Sequence, residues 1–367
     1  MNSAAYIVTA METAFTWSAA EARVVFGAGA LARVPDEVAR LGGGRVLLIG
    51  SGRSTSDALR RLDDLLGDLV AGEIPVAAQH VPDEKAALAV AHARDAAADL
   101  IVTVGGGSAT GLGKVVALEC RIPLIAIPTT YAGSEMTPTW GRTANGVKRT
   151  GMDPAVLPRA VVYDPELCTG MPATLAAASG MNALAHCVEA LWTRGANPLT
   201  NVLAEEGIRR LMAWLPRVVQ DRGDLDAQAA TLIAACLAGL ASAQAGSGIH
   251  HRTCHVLGGG WNLPHAETHA VVLPHATALV APRAVDAMDR LCRLLDTDDP
   301  PAVLFDLTRR LGIPASLAEL GLPRDAIDDA AVRVADRSRD DPLVPDGAAV
   351  HAMLEGAFEG RRPQRSA

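Results

Sequence analysis

The stretch LIVTVGGGSATGLGKVVAL, residues 100–118, carries the reading of the fold. Leu100 to Val104 is a short β-branched run, the pattern of a strand buried on both faces. Gly105, Gly106 and Gly107 interrupt it, and from Ser108 the chain resumes as a helix through Lys114 to Leu118. Strand, glycine turn and helix in that order suit a phosphate: glycines let the backbone approach a pyrophosphate, and the helix start offers unpaired N–H groups and a positive dipole end. A plain tight turn has the same appearance, so the surroundings must decide.

Working outward, further strands are predicted at Arg23 to Phe26, Val46 to Gly50, Leu124 to Pro128 and Ala160 to Tyr163. Helical spacing covers Thr55 to Leu69 and Glu84 to Ala98. Strands alternating with helices predict a parallel sheet with helices on both faces, a dinucleotide-binding α/β domain over residues 1–165. After Asp164-Pro165 the strand signals fade. Helices are expected from Pro172 to Thr193, from Asn197-Pro198 through Val219, and from Leu225 to Ala245, the last deeply buried. Gly258 to Gly260 is expected to break the helical pattern, and Arg361 to Ala367 reads as a frayed tail. Residues 166–367 thus form an all-helical domain, and 367 residues suffice for two such lobes.

The strand after the glycine turn ends in PTTYAGSE, residues 128–135. Two neighbouring strands therefore bring glycines and hydroxyls to their carboxyl ends, where open parallel sheets bind ligands. A dinucleotide is expected on Gly105, Gly106, Gly107, Ser108, Thr129, Thr130 and Ser134, with Lys148 as a ribose contact. Val46 to Gly50 runs into Ser51-Gly52 with no carboxylate for a ribose 2′-hydroxyl, so NADH and NADPH both remain open.

Six of the ten histidines fall in three short stretches. Asn182 and His186 are one helical turn apart, as are His251 and His255 in HHRTCH and His265 and His269 in NLPHAETH; His250 adjoins. Such crowding favours a metal or substrate site over isolated core histidines.

The net charge of −8 and the lack of any Lys/Arg cluster argue against a nucleic-acid partner. Six scattered cysteines with no C-x-x-C pair suggest reduced thiols rather than disulfides. No basic leader precedes an apolar run, and no stretch of about 18 uncharged apolar residues occurs. A cytoplasmic location without a membrane partner is the expectation.

GGGS, PTTYAGSE, GMNALAHCVEA, HHRTCHVLGG and LPHAETHAVVLPH, in order and spacing, resemble the iron-containing alcohol dehydrogenases over nearly the whole chain. The resemblance implies a nucleotide domain, an all-helical domain and an active site between them. It maps the family's metal-binding Asp and three His onto Asn182, His186, His251 and His265, and its further cleft histidine onto His255. Gly111 and Asn182 stand where the family usually has Asp. Both departures, with TTYAGSEMTP, the YDP turn at 163–165 and HAETH, look like the maleylacetate reductase branch. Arg252, Arg142, Gly260-Trp261 and the segment 341–346 depart from that branch and bear on the substrate.

As implied by that branch, the chain reduces the conjugated carbon–carbon double bond of maleylacetate, or of a similar small oxo acid, with His251, His255 and His265 as catalytic residues. Arg252, Arg142 and Tyr131 are the expected substrate contacts for a small dicarboxylate, and a homodimer is the expected assembly. Exchanging a carboxylate for the Asn182 amide removes a negative charge from the metal shell. A metal-free site is therefore expected over a weak Fe or Zn site. The alternatives are a metal-dependent alcohol or polyol dehydrogenase, against which Gly111 and Asn182 argue, and a non-redox enzyme resembling dehydroquinate synthases, which keep the carboxylate ligand missing here.

Overall fold

The computed structural model describes residues 15, 17, 21–77, 81–144 and 147–364, without the side chains of Val147 and Lys148. Strands β1 (Arg23–Phe26), β2 (Val46–Gly50), β3 (Val70–Ile74), β4 (Leu100–Gly105) and β5 (Leu124–Pro128) join one parallel sheet. β6 (Thr139–Ala144) and β7 (Val147–Met152) form a separate antiparallel hairpin, and β8 (Ala160–Tyr163) returns to the sheet, whose order is β1-β8-β5-β4-β2-β3.

Side chains alternate across the sheet with the strand period of two. Val46, Leu48, Leu100 and Val102 meet α1 (Val34–Arg40) and α2 (Ser56–Leu66) on one face. Leu47, Ile49 and Ile101 meet α3 (Asp83–Asp95) and α4 (Gly107–Cys120) on the other. The crossovers leaving β2 and β4 thus go to opposite faces, and the topological switch lies at their carboxyl ends, between Ser51 and Gly105.

The five strands read from the sequence are present. β3 escapes a sequence reading because VAGEI carries a glycine and a glutamate in a sheet-edge strand paired only to β2. The hairpin is polar and lies over α4 rather than in the core.

Beyond β8 the described chain is helical: α5 (Ala173–Ala190), α6 (Pro198–Gln220), α7 (Leu225–Ala245), α8 (Ile249–Trp261), α9 (His265–Val280), α10 (Val285–Leu295), α11 (Pro300–Arg310), α12 (Ala326–Arg337) and α13 (Gly347–Glu359). Asn197 and Thr200 cap α6 reciprocally, which fixes its start. α7 is long and apolar enough in composition to cross a membrane, yet it packs between α5 and α6 in the core of this lobe.

The expected break at Gly258 to Gly260 does not occur, since α8 runs through all three glycines to Trp261. Three glycines weaken a helix by roughly 1 kcal/mol each. The helix nonetheless packs against α12, with the Arg333 guanidinium 5.3 Å from the Trp261 ring, and Asn262 in the left-handed region ends it. Of the expected frayed tail, 361–364 follow α13 without regular structure, and 365–367 lie outside the described residues.

Candidate active site

Gly105 has φ +149, and a Cβ there would lie 2.0 Å from Ser51 Oγ, so only glycine lets β4 turn this close to β2. Gly106 caps α4 without a side-chain acceptor, which leaves the first amides of the helix for a ligand. Thr130 borders Gly106 and Ala132 borders Gly107, bringing the end of β5 beside the glycine turn. Ser51 Oγ and Ser134 Oγ are buried without hydrogen-bond partners among the described residues. Glycines, helix amides and hydroxyls converge here as a dinucleotide pyrophosphate requires.

Lys114, fully buried on α4, donates to the carbonyls of Ser134 (2.5 Å), Thr137 (2.8 Å) and Thr139 (2.9 Å) and so ties the helix to the segment after β5. Burial pulls its pKa down to about 7 against the opposing attraction of Glu135. The Lys148 backbone pairs with Thr143 in the hairpin; its side chain lies outside the described residues.

One stripe of α5 connects this region to the histidines. Ser179, Asn182, His186 and Glu189 recur at spacings of three, four and three residues and so share a helix face. Ser179 Oγ accepts from the Tyr131 amide at 2.9 Å, tying the loop after β5 to this stripe. Asn182 is buried, and its Oδ1 has no hydrogen-bond partner among the described residues. His186 Nδ1 lies 3.2 Å from Ser242 Oγ on α7. Glu189 meets His251 Nδ1 at 2.5 Å.

Around that stripe six imidazoles form one continuous cluster. Ring centroids lie 4.3 Å apart for His186 and His251, 4.7 Å for His251 and His269, and 4.3 Å for His269 and His265. His255 stacks near His265 at 6.4 Å, and His250 stands edge-on to His251 at 4.9 Å. His265 is exposed and His255 half-buried, whereas His250, His251 and His269 are buried. The cluster therefore grades from solvent into the interior.

Burial, reinforced by neighbouring imidazoles, pushes His186 and His269 well below the ordinary histidine pKa and His250 to about 4. These rings are neutral at pH 7, the form that can ligate a cation.

His269 sits at the centre of the cluster, with both ring nitrogens unpartnered among the described residues. The sequence carries its signal in the four-residue spacing from His265, but spacing alone cannot rank it above its neighbours. Glu189 and Ser242 were invisible as site residues, because each matters only through the ring it touches.

Three expected substrate contacts are engaged elsewhere. Arg252 pairs with Asp341 at 2.9 Å and donates to the Ser247 carbonyl. Arg142 lies between Asp83 (3.2 Å) and Glu119 (3.4 Å), on the face where the hairpin covers α3 and α4. Tyr131 is fully buried, its hydroxyl bonded to Gln228 of α7. Acidic neighbours claim the two arginines, and the tyrosine serves the contact between lobes.

The donors suit a divalent ion bound by neutral groups. Asn182 Oδ1 is orphaned, and Ser242 and Glu189 hold the Nδ1 atoms of His186 and His251, so each ring would ligate a cation through Nε2. Nitrogens of His250, His251 and His269 also lie within 4.8 Å of one another. His250 is the poorer ligand, since its Nε2 lies 3.0 Å from the His269 carbonyl.

The iron-containing alcohol dehydrogenase model matches residues 21–165, and the model of that family's C-terminal domain matches 176–358. The chain belongs to the iron-containing alcohol dehydrogenase family. Within it, the chain is 45% identical to a maleylacetate reductase of Burkholderia cepacia over 350 residues, covering 95% of this chain and 99% of the relative. The crystal structure of the Rhizobium sp. strain MTP-10005 maleylacetate reductase superposes with a TM-score of 0.90 at 42% identity, covering 95% of this chain and 99% of that one. The Agrobacterium tumefaciens maleylacetate reductase gives 0.89 at 43%, covering 96% and 100%.

Proposed function

We propose that the chain is an NAD(P)H-dependent maleylacetate reductase that saturates the conjugated carbon–carbon double bond to yield 3-oxoadipate. The observation that carries this is the 45% identity to a reductase of that name over 95% of the chain. The neutral donor set supports it, since the Asn182 amide occupies the position where the family's alcohol dehydrogenases bring a carboxylate.

The reaction consumes one substrate, one NAD(P)H and one proton, and releases 3-oxoadipate and NAD(P)⁺. The dinucleotide supplies the hydride, which goes to the alkene carbon remote from the ketone. In this reading Gly105, Gly106, Gly107 and Ser108 hold the pyrophosphate, with Thr129, Thr130 and Ser134 lining the adjoining strand end. Negative charge then develops on the ketone oxygen as an enolate, and an N–H group of His265 beside that oxygen would lower the barrier, His251 facing the site through the nitrogen that could ligate a cation. His255 is proposed to deliver the proton to carbon, because it reaches solvent and can be reprotonated between turnovers. A divalent ion on Asn182, His186, His251 and His265 would add Lewis-acid polarisation of the same oxygen.

The test is to follow nicotinamide oxidation with maleylacetate beside a panel of aldehydes, with NADH and NADPH compared and metal content measured on the same preparation. Turnover of maleylacetate well above every aldehyde is expected. Preferential aldehyde turnover that a chelator abolishes would instead identify a metal-dependent alcohol dehydrogenase.

A further inference from the structure

Glu189 lies 62 residues before His251, on another helix, and is 1% exposed. Its two oxygens do different things. Oε1 accepts the His250 amide at 2.8 Å and the His251 amide at 3.4 Å, supplying the first turn of α8 with the cap that its N-cap residue, Gly248, cannot provide. Oε2 stands 2.5 Å from His251 Nδ1. Gly248 permits this approach, since a Cβ there would lie 2.9 Å from Glu189 Oε1.

The neighbouring hydrogen bonds fix the direction of the proton. His250 Nε2 is 3.0 Å from the His269 carbonyl, which only accepts, so that nitrogen carries hydrogen and neutral His250 has a bare Nδ1. The bare nitrogen lies 3.3 Å from His251 Nδ1. His251 Nδ1 therefore faces two acceptors, a carboxylate oxygen and a ring lone pair, and must itself be the donor.

We infer that Glu189 is a positioning residue that locks His251 as the Nδ1–H tautomer and aims its Nε2 at the reacting groups. The kinetic part of this inference rests on the reading of the chain as a maleylacetate reductase; the tautomer part does not. Glu189 touches neither substrate nor cofactor, and acts through the ring it holds.

Glu189→Gln separates its two duties. The amide oxygen can still cap α8, while the amide nitrogen places a donor against Nδ1–H and favours the opposite tautomer. Melting temperature and NAD(P)H affinity should stay near those of the parent, and kcat should fall on the order of a hundredfold with a smaller change in KM. In the unmutated protein with ¹⁵N-labelled histidine, the His251 signals, assigned by comparison with His251→Gln, should report a protonated Nδ1 and a bare or ligated Nε2. In Glu189→Gln that pattern should reverse. If the unmutated protein carries the His251 proton on Nε2, or the folded variant keeps its kcat or tautomer, the inference is overturned. A failure of maleylacetate turnover in the unmutated protein alongside the expected tautomer would remove only the assigned substrate.

Discussion

Arg252 on α8 and Asp341, 89 residues later, are joined at 2.9 Å, and the pair ties the histidine-bearing helix to the segment before α13. The arginine side chain is 32% exposed, so the pair contributes at most about 1 kcal/mol after solvent screening. With its guanidinium engaged by Asp341 and the Ser247 carbonyl rather than by substrate, Arg252→Gln is expected to change KM for a dicarboxylate by no more than about fivefold. Steady-state kinetics check this, and a hundredfold rise would return Arg252 to the substrate.

Tyr131→Phe removes the hydroxyl bonded to Gln228 in the interior and leaves the glutamine oxygen without that donor. A loss of about 1–3 kcal/mol in unfolding free energy is expected. Because the hydroxyl is spent on Gln228 in the interior, kcat should stay within roughly a factor of three. Denaturant titration and initial rates measure the two effects separately.

Gly105→Ala drives a methyl group toward Ser51 at a backbone angle that side chains avoid. Strain of about 1–3 kcal/mol is expected. Relief by shifting the turn would spoil the pyrophosphate cradle, and the NADH dissociation constant should rise on the order of tenfold or more. Fluorescence titration reads this directly; unaltered binding would move the dinucleotide elsewhere.

Asn182→Asp returns a carboxylate to a buried position whose amide oxygen has no hydrogen-bond partner among the described residues. With His186 one turn along α5 and its ring 4.3 Å from that of His251, affinity for Zn²⁺ or Fe²⁺ should increase by about tenfold or more, measured by calorimetry on chelator-treated protein. Maleylacetate turnover without added metal should fall, since the new charge opposes an enolate.

Acid should weaken the fold through His275, buried on α9 against Gly356 and edge-on to Phe305. Burial, with a smaller contribution from Arg361, brings it down to about 4 from 6.5. Between those values the unfolded chain binds a proton that the folded protein refuses, so stability declines as pH drops through that window, by up to roughly 3 kcal/mol. In His275→Leu the decline from pH 6.5 to 4 should be shallower by about that amount, as thermal melts across the range would reveal.

Much of the fold was legible because local periodicity reports burial. Val46 to Gly50 is a continuous apolar run and Leu100 to Val104 is broken only by Thr103, and they are interior strands covered on both faces. β3 was not legible, because VAGEI satisfies only an edge position, and neither was the passage of α8, which packs against α12, through Gly258 to Gly260. At the site, four-residue spacing made His251 and His255 visible as a pair, but it could not say that Arg252, next in the chain, turns toward Asp341.

What the residues alone determined were the features that repeat within a turn or a strand: the glycine interruption at 105–107, the Asn182–His186 stripe and the crowding of imidazoles. Which carboxylate holds His251, which histidine lies at the centre, and which arginines are already engaged emerged only when helices far apart in the chain crossed. Those pairings depend on the angle and depth at which α5, α8 and α9 meet, and no short-range pattern encodes such a geometry.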